Sequence, residues 1–325
     1  MEKKDIASYT LQELEDEMKA IGEKPFRAKQ IYEWIHVKLV ESFDEMTNVS
    51  KALREKLDRE YEIATVSLVE RQISGIDGTN KFLFELSDGN MIESVLMKYK
   101  HGNSICISSQ VGCRMGCRFC ASTIGGLVRN LTASEMLREV YEVQKISGER
   151  ISNIVVMGTG EPLDNYENFV RFIRMVSDGH GLHISQRNIT ASTCGIVPNI
   201  RRLADEKFQI TLALSLHGSN QEKRKSLMPV ANKYELSEVL EACDEYFEKT
   251  GRRITFEYSL VHGVNDTEED IRELTALLKH RNCHLNLIPV NPVRENNFKR
   301  PDKKTAGIFQ NKLEKNGINV TIRRE

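Results

Sequence analysis

Apolar residues near the start of the chain recur at the spacing of an α-helix. Leu14 and Met18 fall on one face of such a helix, and Thr10, with a glutamate three residues further on, has the sequence of an N-cap. The same periodicity predicts helices over residues 25–40 and 50–61. A small helical module of this kind packs either on the rest of its own chain or on a partner such as RNA.

The period changes to two beyond these helices, which indicates extended strands. Apolar and polar positions alternate over residues 66–70, 81–86 and 91–97. Asp-Gly pairs at positions 77 and 88 separate the runs, and such pairs are typical of tight turns between antiparallel strands. The pattern therefore predicts a short antiparallel β extension.

Strand-like and helix-like runs alternate over the rest of the chain. The strand patterns cover residues 104–109, 151–157, 188–193, 210–216, 253–260, 285–290 and 319–323. The helical patterns cover residues 133–147, 165–177, 235–250, 267–281 and 303–316. Successive strand–helix units predict an α/β fold with a parallel sheet, either open or curled into a partial barrel. The expected domains are a helical accessory domain (1–62), a β-hairpin extension (63–98) and a core domain (99–325).

The composition narrows the class of protein. With 40% apolar and 29% charged residues, and no apolar run long enough to cross a bilayer, the chain is expected to be soluble and free of membrane. Its first residues lack an apolar signal sequence, so we expect a cytoplasmic protein. In the cytoplasm, seven cysteines are more often metal ligands, catalytic groups or buried thiols than disulfide partners.

The most informative chemistry is a C-x3-C-x2-C run formed by Cys113, Cys117 and Cys120. Three thiolates in one loop can bind a cubane [4Fe–4S] cluster and leave one iron open for another ligand. A structural zinc site usually has four ligands, with its cysteines in two separated pairs. Zinc with a remote fourth ligand and ordinary buried cysteines are the alternatives. Phe119, beside the last cysteine, is expected to shield the cluster from solvent.

Small and polar residues also follow the predicted strands, where a parallel α/β fold places its chemistry. These segments are Gly158–Pro162, Ser192–Gly195, Ser215–His217 and Asn291–Pro292. Glycine lets the backbone approach a ligand closely, and Glu161 is able to accept from an ammonium group. Serine, histidine and asparagine side chains suit a carboxylate or ribose hydroxyls. Each of these residues on its own is also an ordinary strand-end residue.

Charge gives only a local indication of the partner. The net charge of −1 provides no general attraction to nucleic acid. Basic residues do cluster beside the cysteines and near the C-terminus, although such clusters are often plain solvated surface. They are Arg114, Arg118 and Arg129, then Arg294, Lys299, Arg300, Lys303 and Lys304, and finally Arg323 and Arg324.

These motifs resemble the radical S-adenosylmethionine enzymes, in which a three-cysteine loop follows the first strand and a Gly-Glu-Pro loop follows the second. More narrowly, the chain is similar to the bacterial adenine-C2 RNA methyltransferases over nearly its whole length. The similar segments are Ser108–Thr123, Met157–Leu163, Leu214–His217, Leu227–Pro229 and Val320–Arg324. The resemblance implies a partial (β/α)6 radical SAM barrel and methylation of an adenine in 23S rRNA and in tRNA.

The resemblance also implies two cofactors, a [4Fe–4S] cluster and S-adenosylmethionine. Cys113, Cys117 and Cys120 would bind the cluster, and the amine and carboxylate of S-adenosylmethionine would bind the fourth iron. The implied contacts to S-adenosylmethionine are Gly160, Glu161, Ser192, Ser215, Leu216, His217 and Asn291.

Two catalytic residues are implied by the same resemblance. In this family a methylated cysteine near the C-terminus carries the methyl group to adenine C2. Glu93 matches the general base that removes the ring proton, and Cys106 matches the cysteine that releases the RNA by forming a disulfide. Without the resemblance, Glu93 is an exposed strand carboxylate and Cys106 a small buried hydrophobe. We expect Cys194, Cys243 and Cys283 to be structural.

One feature departs from the family. Its methyl-carrying cysteine lies beyond the strand that Thr321–Arg324 resembles, whereas this sequence has no cysteine after Cys283. We therefore expect the sequence to be a shortened form of a longer chain. A polypeptide that ends at Glu325 is expected to bind cluster and cofactor without methylating RNA.

Other functions stay open at this stage. The C8-methylating branch, which confers antibiotic resistance, is the nearest alternative, although Gly-Glu-Pro-Leu at 160–163 favours the C2 branch. A radical enzyme acting on a protein or small molecule, and a non-catalytic RNA-binding protein with a structural metal, are the others. The expected partners are 23S rRNA, tRNA and a small flavodoxin-like protein that donates electrons. The protein is expected to be a monomer.

Overall fold

The computed structural model describes residues 3–100, 102–293 and 297–323. Its helices are α1 Leu11–Ala20, α2 Phe26–His36, α3 Lys51–Glu60, α4 Ala133–Ser147, α5 Tyr166–Val176, α6 Val197–Asp205, α7 Gln221–Leu227, α8 Leu236–Thr250, α9 Glu268–Leu278 and α10 Lys303–Lys315. Its strands are β1 Lys4–Asp5, β2 Tyr61–Glu62, β3 Val66–Ile73, β4 Asn80–Leu86, β5 Met91–Tyr99, β6 Gly102–Ile107, β7 Gln110–Gly112, β8 Leu127–Asn130, β9 Ile151–Val156, β10 Ile189–Thr193, β11 Thr211–Ser215, β12 Ile254–Leu260, β13 Cys283–Pro289 and β14 Val320–Ile322.

The N-terminal helices form as the apolar periodicity predicts. Thr10 and Glu13 make a complete capping box, which satisfies two of the free amides at the start of α1. The second helix is shorter than predicted, because the sequence pattern extended it to residue 40 and α2 ends at His36. Leu39 adopts φ +58°, a left-handed conformation that a helix does not continue through.

The described residues fall into two compact units with interleaved sequence. The first contains the chain up to Val111 together with Asn130–Thr159 and Asn165–Ile189, and the second contains Gly112–Arg129, Gly160–Asp164 and the chain from Thr190 onward. None of the helices in these ranges has the length and apolar character that crossing a bilayer requires.

In the first unit, the antiparallel extension and the first core strands form one sheet in the order β3-β4-β5-β6-β9. The pairs from β3 to β6 are antiparallel, and β6 pairs with β9 in parallel. Phe82 is fully buried, and Ser94 lies opposite it on β5. Because the Ser94 hydroxyl donates to Glu139 of α4 at 2.6 Å, α4 covers this face of the sheet.

The second unit contains a parallel sheet in the order β10-β11-β12-β13-β14. Helices follow the strands, so the carboxyl ends of β10 to β13 meet at one edge, as the sequence predicts. The sequence patterns missed α6 and α7, which are short and lie between long, easily recognised elements. The α7 helix proves important for the candidate site.

Candidate functional site

The three cysteines of the C-x3-C-x2-C run lie on one loop of the second unit, and backbone hydrogen bonds shape it. The Cys113 amide donates to the Gly126 carbonyl at 2.9 Å, and the Cys120 amide donates to the Cys117 carbonyl at 3.0 Å. The Thr123 hydroxyl also donates to the Cys120 carbonyl. Cys113 is buried and the other two cysteines are half-buried. These hydrogen bonds hold the backbone of the loop in a compact turn.

A second segment of the same unit supports this loop from behind. The Arg118 amide donates to the Leu227 carbonyl at 2.9 Å, and Cys117 packs with Leu227 and Met228. Gly116 has φ +70°, and a Cβ there would lie 3.3 Å from the Pro229 ring. The Leu227-Met-Pro229 motif therefore packs against the cysteine loop and supports it.

The thiols are electrostatically coupled to one another. Burial, followed by the charges of neighbouring groups that include the other cysteines, raises the pKa of Cys113 to about 11 and that of Cys117 to about 12. These thiols stay protonated at neutral pH unless a metal centre displaces their protons, since metal ligation requires thiolates. The raised pKa values therefore argue against a free thiolate nucleophile at Cys113 or Cys117.

The geometry bears on which metal centre fits. Among the described residues, no group of three or more histidine, cysteine or acidic side chains is placed to hold a single metal ion. A cubane cluster requires wider spacing, because each cysteine binds a different iron. The run has three cysteines, one for each of three irons of a cubane, whereas a structural zinc site usually has four ligands.

Polar groups line the strand ends of the same unit. The hydroxyls of Ser192 on β10 and Ser215 on β11 are 3.3 Å apart. Their register places both side chains on one face, because Ser192 lies opposite Ala213 and Ser215 follows two residues later. Two half-buried hydroxyls side by side suit the hydroxyl or carboxylate groups of a ligand.

His217 follows β11 and is held in a fixed, neutral state. It has φ +52°, and its Nδ1 accepts from the Ser259 amide at 2.8 Å, which leaves the proton on Nε2. Burial, followed by the nearby Arg224 charge, lowers the pKa of His217 to about 3. The Phe119 ring meets the imidazole edge-on at 4.6 Å, so the cysteine loop and this strand end share a contact.

Glu161 is buried, with 4% of its surface exposed, and its carboxylate accepts from backbone amides. One oxygen accepts from the Cys194 amide at 2.7 Å and the other from the Leu163 amide at 3.1 Å. Burial raises the pKa of this carboxyl despite these bonds. Glu161 thus braces its loop against the end of β10, a role that the sequence did not suggest. Gly160, at φ +109°, adopts a conformation open only to glycine.

The remaining residues expected to contact the cofactor also lie in the second unit. Leu216 is fully buried, and its amide donates to the Glu257 carbonyl at 2.9 Å. Asn291 is exposed just beyond β13. All seven of these residues and the three cysteines therefore belong to one compact unit.

The two residues with predicted catalytic roles lie in the first unit and share a face of its sheet. Cys106 pairs with Val95, and Glu93 is two residues before Val95 on the same strand. This face is opposite the one that α4 covers. The Glu93 carboxylate makes an ion pair with Lys81 at 2.5 Å, and both side chains are nearly half exposed.

Sequence reasoning missed Arg224 of α7. It lies in a Lys-Arg-Lys stretch that looks like solvated charge, yet its exposed surface is 0%. Its Nη2 donates to the Cys194 carbonyl at 2.5 Å and to the Ser215 carbonyl at 3.3 Å. The only signal in the sequence is its helical spacing from Leu227, three residues on.

The basic clusters take different positions. Arg114 makes an ion pair with Asp164, while Lys303 and Lys304 are exposed near the start of α10. Arg323 is also exposed. Arg294 and Arg324 lie outside the described residues.

Two family models match the chain. Residues 4–63 match the ribosomal RNA large subunit methyltransferase N-terminal domain, and residues 107–275 match the radical SAM superfamily. The "Probable dual-specificity RNA methyltransferase RlmN" of Lachnoclostridium phytofermentans is 67% identical, with 100% of this chain and 91% of the relative covered. The protein of the same description from Lachnospira eligens is 60% identical, with 99% and 92% covered.

A solved structure extends the likeness to three dimensions. The crystal structure of a radical SAM methyltransferase from Sphaerobacter thermophilus matches with a TM-score of 0.92 and 41% identity. The match covers 98% of this chain and 95% of that one. The chain therefore has the α/β fold of that structure.

Proposed function

Because the chain belongs to the dual-specificity RNA methyltransferase family of the radical SAM superfamily, we propose that it methylates C2 of an adenine in 23S rRNA and in tRNA. It is an S-adenosylmethionine-dependent methyltransferase, and its cofactors are a [4Fe–4S] cluster and S-adenosylmethionine. The observation that carries the site assignment is the set of three coupled thiols and the strand-end polar groups within one compact unit.

The target atom explains why this family uses such cofactors. Adenine C2 has no nucleophilic lone pair, so a polar attack on a sulfonium methyl group has no electron pair to start from. When bound, the cluster and S-adenosylmethionine together supply radical chemistry, while the protein supplies position and electrostatics. The Gly-Glu-Pro-Leu sequence at 160–163 supports C2 over C8 as the target.

We assign Cys113, Cys117 and Cys120 to the cluster. The burial of the loop and its packing against Leu227 support this role, because a cluster held there is protected from solvent. The residues assigned to S-adenosylmethionine are Gly160, Glu161, Ser192, Ser215, Leu216, His217 and Asn291. Since the Glu161 carboxylate accepts from two backbone amides, we propose that it supports the cofactor through the loop that it braces.

We assign Glu93 as the base that takes the C2 proton, and Cys106 as the thiol that resolves the protein–RNA link. Their position on one open face of the first unit supports a joint role. Lys81 makes an ion pair with Glu93 on this face and so holds the carboxylate in place. A substrate adenine reaches such groups only after it leaves its stack, at a moderate energetic cost.

We propose further that the protein acts as a monomer and takes electrons from a small flavodoxin-like protein. Residues 1–62 form an accessory domain, 63–98 the extension and 99–325 the core on this proposal. The match of residues 4–63 to a ribosomal RNA methyltransferase domain supports an RNA-related role for the helical module.

The cofactor assignment is tested by electron paramagnetic resonance on anaerobically reconstituted, dithionite-reduced protein. We expect a reduced [4Fe–4S] signal whose shape changes when S-adenosylmethionine is added. Cys113→Ser, Cys117→Ser and Cys120→Ser should each lose the signal, whereas Cys243→Ser, a buried cysteine on α8, should keep it. Stoichiometric zinc in place of iron would overturn the assignment.

The product is tested in a bacterial strain that lacks adenine-C2 methylation. Because the proposed reaction needs a methyl-carrying cysteine beyond Arg324, the gene is expressed at its full genomic length. We expect 2-methyladenosine in nucleosides from both 23S rRNA and tRNA, identified by chromatography against standards and mass spectrometry. 8-Methyladenosine, which has the same mass, would instead assign the chain to the C8 reaction.

A further inference from the structure

Arg224 is a buried cation that the protein itself leaves unbalanced. Its side chain has 0% exposure, and Nε and Nη1 have no hydrogen-bond partner in the described chain. Only Nη2 is bonded, and both of its acceptors are neutral carbonyls, those of Cys194 and Ser215. Buried cations usually have a carboxylate partner, because an isolated charge is expensive to bury.

No carboxylate in the described residues makes an ion pair with Arg224, although its neighbours on α7 have such partners. Lys223 pairs with Asp270, and Lys225 pairs with Glu222 and Glu235. The groups with which the Arg224 charge interacts are instead the thiols of Cys194, Cys117 and Cys243. The fold therefore holds a positive charge beside thiols that the buried Glu161 carboxylate also faces, without an ion pair between Arg224 and that carboxylate.

The surroundings of Arg224 fix it in this place. The backbone of Gly218 packs so closely on α7 that a Cβ at that glycine would lie 2.5 Å from the Arg224 amide nitrogen. A Cβ at Gly195 would lie 3.0 Å from Nη2. Two glycines thus make room for the guanidinium group and its helix next to the ends of β10 and β11.

We propose that Arg224 is the internal counter-charge of the iron–sulfur cluster and raises its reduction potential. This inference rests on the proposed function, which assigns Cys117 and its two companions to the cluster. A cubane bound by three thiolates is net negative, and uptake of one electron from the reductant makes it more negative. A fixed cation nearby stabilises the reduced form more than the oxidised form, so the reduction equilibrium shifts toward reduction. On this proposal Arg224 acts as a positioning residue through its charge.

A purely structural role for Arg224 is the competing explanation, since it joins the ends of β10 and β11. The two roles predict different results for substitutions that keep either the volume or the charge of the arginine. Arg224→Met keeps the volume and removes the charge, whereas Arg224→Lys keeps the charge and alters the hydrogen bonds. The control is Arg138→Met on α4, another arginine with 1% exposure whose Nε and Nη1 have no hydrogen-bond partner in the described chain, although Nη1 makes an ion pair with Glu142 at 3.9 Å. Its charge partners are Tyr141 and acidic groups rather than thiols.

The experiment is a redox titration of the reconstituted proteins in which electron paramagnetic resonance measures the fraction of reduced cluster at each potential. We expect Arg224→Met to make reduction at least tenfold less favourable, a shift of about 59 mV for a one-electron couple. Arg224→Lys should keep most of the wild-type potential, and Arg138→Met should keep all of it. If Arg224→Met does not fold, Arg224→Gln, which retains a donor, takes its place.

The thermal stability of the same proteins gives a second readout. Without cluster, Arg224→Met should melt no lower than the wild type, because the variant no longer buries an unpaired charge. With cluster, it should gain less stability than the wild type does. An unchanged potential in Arg224→Met, or one in Arg224→Lys as low as in Arg224→Met, would overturn the inference. A wild-type protein that binds no cluster would instead refute the proposed function.

Discussion

Gly112 offers a direct test of how the cysteine loop is anchored. It precedes Cys113 and has φ +73°, a left-handed conformation. A Cβ added at this position would lie 2.0 Å from the Gly126 carbonyl oxygen, which is also the acceptor of the Cys113 amide. The atoms that this Cβ meets, the carbonyl oxygen and carbon of Gly126, belong to the backbone. Gly112→Ala can therefore be accommodated only if Gly126 moves away and the hydrogen bond to the Cys113 amide breaks.

The magnitude follows from two contributions. Placing alanine in a left-handed conformation costs about 1–2 kcal/mol. Leaving the buried Cys113 amide without its acceptor adds about 1–3 kcal/mol. We therefore expect the Gly112→Ala loop to lose roughly 2–5 kcal/mol of its stability and to hold its first cysteine out of position.

Gly251→Ala is the matched control, because Gly251 has φ +68° in the same unit and nothing lies within 4 Å of its added Cβ. The assay is the iron and sulfide content per chain after anaerobic reconstitution, with urea unfolding of the cluster-free proteins. Gly112→Ala should bind less than half the wild-type iron, while Gly251→Ala binds the full amount. Equal iron contents and equal unfolding free energies in the two variants would refute the clash argument.

Three further predictions concern pH, catalysis and RNA. Burial lowers the pKa of His36 and of His217 to about 3, so below pH 6.5 the unfolded chain takes up protons that the folded chain does not. As the pH falls from 7 to 5.5, each histidine should therefore lower the unfolding free energy by ~1.2 kcal/mol in total, and urea unfolding over this range should show a decrease smaller by that amount in His36→Gln; identical decreases would contradict this. In the form of the protein used for the product assay, Glu93→Gln should fold and bind RNA normally yet lower the methylation rate at least ~100-fold, whereas Glu85→Gln on the same sheet face should keep the wild-type rate. A fully active Glu93→Gln would exclude a base at this position. Arg323→Ala should weaken RNA binding and reduce the slope of log Kd against log salt concentration by about 1. An unchanged slope would show that Arg323 does not contact an RNA phosphate.

The sequence alone predicted most elements, because apolar periodicity depends on local spacing. The capping box of Thr10 and the strand ends with their polar residues follow directly from such patterns. The cysteine loop was also recognisable, since its three ligands lie within eight positions of one another. The bracing role of Glu161 was not predictable, because its partner amide belongs to Cys194 on another loop.

Arg224 shows the same limit more strongly. Its neighbours Lys223 and Lys225 are charged, and composition therefore indicates a solvated surface. The guanidinium group is buried where Gly195, 29 residues earlier in the chain (224 − 195), packs against it. Burial that arises from such long-range packing leaves no mark on the local sequence.

The support of the cysteine loop by Leu227 also has a consequence for how the protein is made. The Arg118 amide bonds to a carbonyl 109 residues later in the chain (227 − 118). At a synthesis rate of about 5–20 residues per second, roughly 5–20 seconds pass between the emergence of these two segments from the ribosome. During this interval the Leu227 segment that packs on the cysteine loop has not been synthesised. The nascent cysteines are then open to oxidation or to binding of the wrong metal. We therefore expect cluster insertion to follow translation of α7, and we expect slow synthesis under air, which lengthens the interval, to increase the fraction of chains with damaged thiols.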